Sequence, residues 1–177
     1  IFRAGLKKKF EAPAETYRME TMASRVMPNM ALLKQLAQAV KAEGENLEDQ
    51  GRFGEAAWIY VELIEYGQKV QAGPVIFCLV GLALEDMGLK ALQGIETKLK
   101  DLERAQVVSR LEQLAAERIS FEDVIKRERY FGRRNSLTPF HYLIALRMSR
   151  PAMDNARAKH DREVKAERDF IAKLKTD

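Results

Sequence analysis

The stretch Glu43–Gln68 reads EGENLEDQGRFGEAAWIYVELIEYGQ, and its spacing decides the fold. On its amino-terminal side Leu33, Leu36, Ala37, Val40, Gly44 and Leu47 recur at helical intervals, which gives a helix with one apolar stripe. Beyond Gly51 the positions Phe53, Ala56, Ala57, Tyr60, Ile64 and Gly67 repeat that interval. A second amphipathic helix follows, and the glycine at the junction suits a tight reversal. The stretch therefore predicts two helices folded against each other.

Working outward, Pro13 fits the first turn of a helix reaching about Val26, and Pro28 ends or kinks it. Gly73 and Pro74 break the chain after the hairpin and start a third helix to about Glu96. Its early residues, VIFCLVGLAL, are apolar all round, as expected of a buried central helix. Leu99, Leu102, Val108, Leu111, Leu114 and Ala115 form another stripe. Ser120 and Asp123 then supply a helix start, with Ile119 and Val124 as an apolar staple, and Gly132 is the expected stop. Thr138 and Pro139 read as N-cap and first helical position of a short helix. From Pro151 to Lys175 only scattered apolar anchors stand among dense charges, so a peripheral helix with a thin stripe is expected. Nowhere do Val, Ile and Thr alternate between turn residues as strands require. The fold class is all-α, a single bundle or short solenoid-like domain of six to eight helices: 1–12 a flexible basic segment, 13–177 one helical domain.

Composition agrees. The 177 residues are 46% hydrophobic and 32% charged, with five prolines, which fits a folded helical chain of one domain. The lone Cys78 lies in the apolar run, so no intrachain disulfide forms and burial is expected. That run is far shorter than the roughly 20 apolar residues a bilayer span needs. IFRAGLKKKF opens the chain on Ile1, which suits a processed product: either the trailing edge of a removed membrane anchor or an imported protein, or else an arbitrary boundary. The net charge of +4 hides a split, since residues 30–100 hold seven Lys/Arg against ten Asp/Glu and residues 101–177 hold seventeen against thirteen. A basic second half can favour an anionic partner.

Gly44, Leu47, Gly51, Phe53, Ala56 and Tyr60 stand where the tetratricopeptide repeat places its small and aromatic residues, and this hairpin resembles one such repeat. Glu43 departs from the pattern, occupying a position the family keeps apolar. The next candidate unit, with Gly81 and Leu84, comes 37 residues on instead of 34 and lacks the paired alanine. An array needs about three units, so the resemblance implies one repeat-like hairpin within a bundle. A second resemblance rests on Gly73, Pro74, Leu79, Val80 and Gly81 together with Arg127, Glu128, Phe131 and Gly132. These are similar to elements of bacterial helical proteins that follow an amino-terminal membrane anchor. The likeness implies a location, on the extracytoplasmic face of a bacterial membrane, and no activity.

Chemistry-bearing motifs are sparse. His141 and His160 sit in no HExxH pattern, and the phosphate-cradling and nucleophile-elbow signatures are missing. The reading is therefore not an enzyme, with no catalytic residue, no metal site and no cofactor. Carboxylates such as Glu43, Glu48 and Asp49, or Glu85 and Asp86, would matter only if folding made them converge. Lys126, Arg127, Arg129, Arg133 and Arg134 surround Tyr130 and Phe131, a pattern able to grip phosphates and stack a base, or simply to complement a helix C-terminus. Trp58 and Tyr66 lie off the main stripe of the second helix and are candidate protein-binding anchors. The expected function is a noncatalytic scaffold or protein-interaction domain with a protein partner, tethered to a membrane through an upstream segment. The alternative is a nucleic-acid or ribonucleoprotein accessory subunit, organellar or cytoplasmic.

Overall fold

The computed structural model describes Leu6, residues 27–135 and residues 139–176. Among these the chain is an all-α bundle of six helices: α1 (Met27–Asp49), α2 (Phe53–Val70), α3 (Val75–Ile95), α4 (Asp101–Glu117), α5 (Phe121–Asn135) and α6 (Pro139–Thr176). A 3-10 turn, Glu96–Lys98, joins α3 to α4. The expected helix from Pro13 to Val26, Thr138 and the rest of the basic segment 1–12 lie outside the described residues.

The hairpin forms where its sequence places it. Gly51 takes φ +72°, the left-handed conformation that ends α1. Its N–H donates to the Glu48 carbonyl at 2.8 Å and the Arg52 N–H to the Leu47 carbonyl at 2.9 Å. Two carbonyls of the last turn are thereby satisfied. Gly44 lets α1 approach α2, because a Cβ there would fall 2.7 Å from Cζ of Tyr60. Tyr60 is fully buried and its hydroxyl donates to Glu48.

α3 is the central helix, in contact with α1, α2, α5 and α6. Its face against α2 is built on glycines: a Cβ on Gly67 would meet the Gly81 carbonyl oxygen at 2.7 Å, and one on Gly88 would meet the Tyr60 carbonyl oxygen at 2.9 Å. The main core gathers Tyr60, Leu63, Ile64, Leu84, Leu92, Ile95, Leu111 and Leu114, closed by Phe170, Ile171 and Leu174 of α6. A smaller cluster of Val75, Cys78, Leu82, Phe121, Val124 and Ala156 sits between α3, α5 and α6.

Pro28 stands in the first turn of α1, where a missing N–H has no helical partner to lose, and the helix it is expected to end or kink lies outside the described residues. Two boundaries differ from the sequence reading. α5 runs past Gly132 to Asn135, since a glycine stops a helix only where the chain turns left-handed, and Gly51 alone has positive φ among the described residues. The short helix from Pro139 and the carboxy-terminal segment are one helix of 38 residues that passes through Pro151. Its stripe is stronger than the sequence suggests: Ala156, His160, Glu167, Phe170, Ile171 and Leu174 are all buried. Packing along this length offsets what one proline costs a helix interior, about 3 kcal/mol. No described helix is long and apolar enough to cross a membrane.

Candidate functional site

Three features carry chemistry beyond packing: a buried charge network, a groove on the hairpin, and a basic groove between α5 and α6. The network comes from residues far apart in sequence. Arg118, at the carboxy-terminal end of α4, points its side chain inward and is 7% exposed. It donates from Nη2 to Glu167 at 2.7 Å and from Nη1 to Glu85 at 3.0 Å. Gln71 Nε2 donates to Glu85 at 2.7 Å. The Gln68 amide completes the set when its nitrogen donates to the Leu114 carbonyl (3.0 Å) and its oxygen accepts from Arg118 (3.1 Å), the orientation that matches donors to acceptors.

Glu85 and Glu167 are 2% and 1% exposed, so two carboxylates share one guanidinium away from water. Burial, with Glu85 adding to it, pushes the Glu167 carboxyl above the ordinary range although Arg118 pulls the other way. Burial and Asp86 likewise raise Glu163 one turn earlier. The nearby Cys78 thiol is pushed up to about 11 by burial and by Glu85, so it stays protonated at neutral pH. The network ties α2, α3, α4 and α6 together by directional bonds, with both oxygens of Glu85 and one of Glu167 accepting hydrogen bonds within it. Among the described residues no three metal-ligating side chains converge.

The hairpin groove lies between α1 and α2 and measures about 620 Å³, with Glu43, Asn46 and Gln50 on one wall and Glu55, Trp58 and Glu62 on the other. Trp58 is 36% exposed there. Leu36 and Leu32, 41% and 58% exposed, lie seven and eleven residues before Glu43, two and three helical turns, and so continue the same side of α1. Tyr66 is not part of this wall. It is half-buried against the main core, where burial raises its hydroxyl to about 12.

The five cations read from the sequence are distributed around α5. Lys126 pairs with Asp123 at 2.8 Å, Arg134 donates to the Tyr130 hydroxyl at 3.1 Å, and Arg133 is exposed. Arg127 is half-buried, and its Nη1 is enclosed without a hydrogen-bond acceptor. Arg129 lines a groove of about 670 Å³, which it shares with Arg147, Arg150 and Arg157 of α6 over Phe121, Ile125 and Met153. Arg157 lies over the Phe121 ring at 5.0 Å and pairs with Glu122 at 3.4 Å. Phe131, one of the two aromatics of the basic run, packs against the main core.

The sequence reading missed Arg118, Glu167, Arg147, Arg150 and Arg157. The α6 arginines fall at intervals of three and seven, the spacing of a helix face, but they become a site only opposite Arg129. His160 is 7% exposed and packed on Phe121 with ring centroids 5.6 Å apart; its Nδ1 lies 3.4 Å from Asp161 and its Nε2 is enclosed without a partner. The His141 side chain lies outside the described residues. No family model, no curated protein and no solved structure matches this chain.

Proposed function

We propose that this chain is a noncatalytic scaffold or protein-interaction domain whose docking face runs along α1 and over the hairpin groove. One observation carries the reading: Trp58 is 36% exposed in the lining of the hairpin groove, and two further exposed hydrophobics, Leu32 and Leu36, stand on the same side of α1 as Glu43 of that lining. Apolar side chains exposed together next to a groove are the usual signature of a contact surface, and tryptophan is enriched at its energetic centre. Resemblance of the hairpin to a tetratricopeptide unit supports the same face, since its first helix bears the exposed stripe. A tether upstream, holding the domain at the extracytoplasmic face of a bacterial membrane, belongs to the same proposal.

The test is copurification of the tagged full chain from the cells that make it, membranes included. Trp58→Ala and the pair Leu32→Asp/Leu36→Asp should lose a common partner that Leu102→Asp retains, because Leu102, 70% exposed on α4, is not in the groove lining. A partner retained by every variant, or turnover of a substrate by the purified chain, contradicts the proposal. The nucleic-acid reading rests on the basic second half, and it has one stacking aromatic fewer with Phe131 packed inward.

A further inference from the structure

We propose that the α5–α6 groove is a docking site for an acidic peptide segment that carries an apolar side chain between its carboxylates. The site is separate from the hairpin face and stands or falls independently of it. Four arginines, Arg129 from α5 and Arg147, Arg150 and Arg157 from α6, converge on one opening, and Asp154 is the single carboxylate in its lining. Among the described residues only Arg157 has an ion-pair partner there, Glu122. Arg129, Arg147 and Arg150 are exposed, and among the described residues no carboxylate pairs with them. Like charges held this close repel, and an anionic occupant relieves that repulsion. Guanidinium groups suit carboxylates in particular, since their planar forks accept them with two parallel bonds.

The floor distinguishes the kind of anion. Phe121 is buried, Ile125 and Met153 are half-buried, and Arg157 already lies over the Phe121 ring. That leaves an apolar slot with a methionine, an adaptable surface for a side chain, rimmed by cations. A nucleic acid needs cations along a backbone track with open aromatic faces for its bases. Neither exposed Tyr130 nor core-packed Phe131 lines this groove. The internal Glu122–Arg157 pair shows a carboxylate reaching one of these arginines beside the same floor.

The experiment uses the full chain and fluorescent probes: a peptide alternating glutamate pairs with single leucines, its leucine-to-serine counterpart, oligothymidylate, and vesicles of phosphatidylserine in phosphatidylcholine. The glutamate–leucine peptide should bind most tightly and weaken as salt rises. Arg147→Gln/Arg150→Gln should weaken it about tenfold or more, as loss of charge-assisted contacts does, while Arg134→Gln, outside the groove, leaves it unchanged. Should the Gln pair lower the melting temperature, Arg147→Lys/Arg150→Lys serves as the readout: loss of the forks weakens binding, and unchanged affinity overturns the proposal. It is also overturned by equal binding of the serine peptide, by preferential binding of oligothymidylate or vesicles, by no peptide binding, or by concentration-dependent self-association that the Gln pair abolishes, which would make a second copy the occupant.

Discussion

Gly67 and Gly81 face each other across the α2–α3 interface so closely that a Cβ on Gly67 would lie 2.7 Å from the Gly81 carbonyl oxygen and 2.5 Å from the Glu85 backbone nitrogen. The obstructing atoms are backbone, which cannot swing aside as a side chain can. Gly67→Ala should therefore destabilise the fold by about 2–4 kcal/mol, overpacking outweighing the roughly 1 kcal/mol an alanine gains in a helix. Gly94→Ala is the control, because nothing lies within 4 Å of a Cβ there, and it should be stabilising. Urea denaturation of the two variants measures both.

Among the described residues Arg118 is the one cation paired with both buried carboxylates, Glu85 and Glu167, so its removal and theirs are not equivalent. Arg118→Met should cost about 3–5 kcal/mol, because Glu85 and Glu167 are left buried without their counter-charge. Glu167→Gln keeps a one-to-one pair and should change stability by no more than about 1 kcal/mol. Denaturant midpoints at neutral pH check the ordering.

The pH dependence follows from carboxyls shifted in opposite directions. For Glu65, burial works upward, but hydrogen bonds from Arg110 (2.7 Å) and Lys69 (2.9 Å) prevail and hold the carboxyl below its ordinary value. Its stabilisation is present above the unfolded value, about 4.3, and is lost as pH falls through the folded one. Glu167 is raised, so its folded form holds the proton more tightly, and its contribution declines as pH rises from about 4.3 through the folded value. Glu65→Gln should flatten the acid limb of the stability profile, and Glu167→Gln should flatten the limb above it. Urea midpoints against pH for both variants and the parent check these signs.

Pro151 stands inside α6 and supplies no N–H to the carbonyl four residues earlier, that of Arg147. Pro151→Ala should restore that bond and raise the melting temperature, by an amount corresponding to about 1–3 kcal/mol. The same change alters the helix between Arg150 and Arg157, and the shape of the basic groove with it. Melting measured together with peptide affinity separates the two effects.

How much of this was legible in the sequence varies by feature. Gly51 as the hairpin turn and Ser120 as a helix start were legible because each signal is local: Gly51 needs its own positive φ, and Ser120 Oγ accepts from the Asp123 N–H at 3.2 Å. Gly132 misled as a stop signal because its backbone stays helical instead of turning left-handed, and Pro151 because the packing of α6 outweighed propensity. Glu128 accepts from the Val75 N–H at 2.9 Å and so caps a helix more than fifty residues away; no local pattern announces that. Arg118 and Glu167 read as solvated charges in amphipathic helices, and only the crossing of α3, α4 and α6 turns them inward. Trp58 was legible as a candidate, whereas the groove it lines depends on how α1 sits on α2.

The docking face on α1 is tested most directly by replacing Leu36 with the photocrosslinking residue benzoylphenylalanine in the full chain and irradiating the cells that make it. One discrete protein adduct is expected, absent when the probe stands at Leu102 and lost when Trp58→Ala is added to the Leu36 probe. An adduct pattern shared by both probe positions, or one that survives Trp58→Ala, would contradict the account.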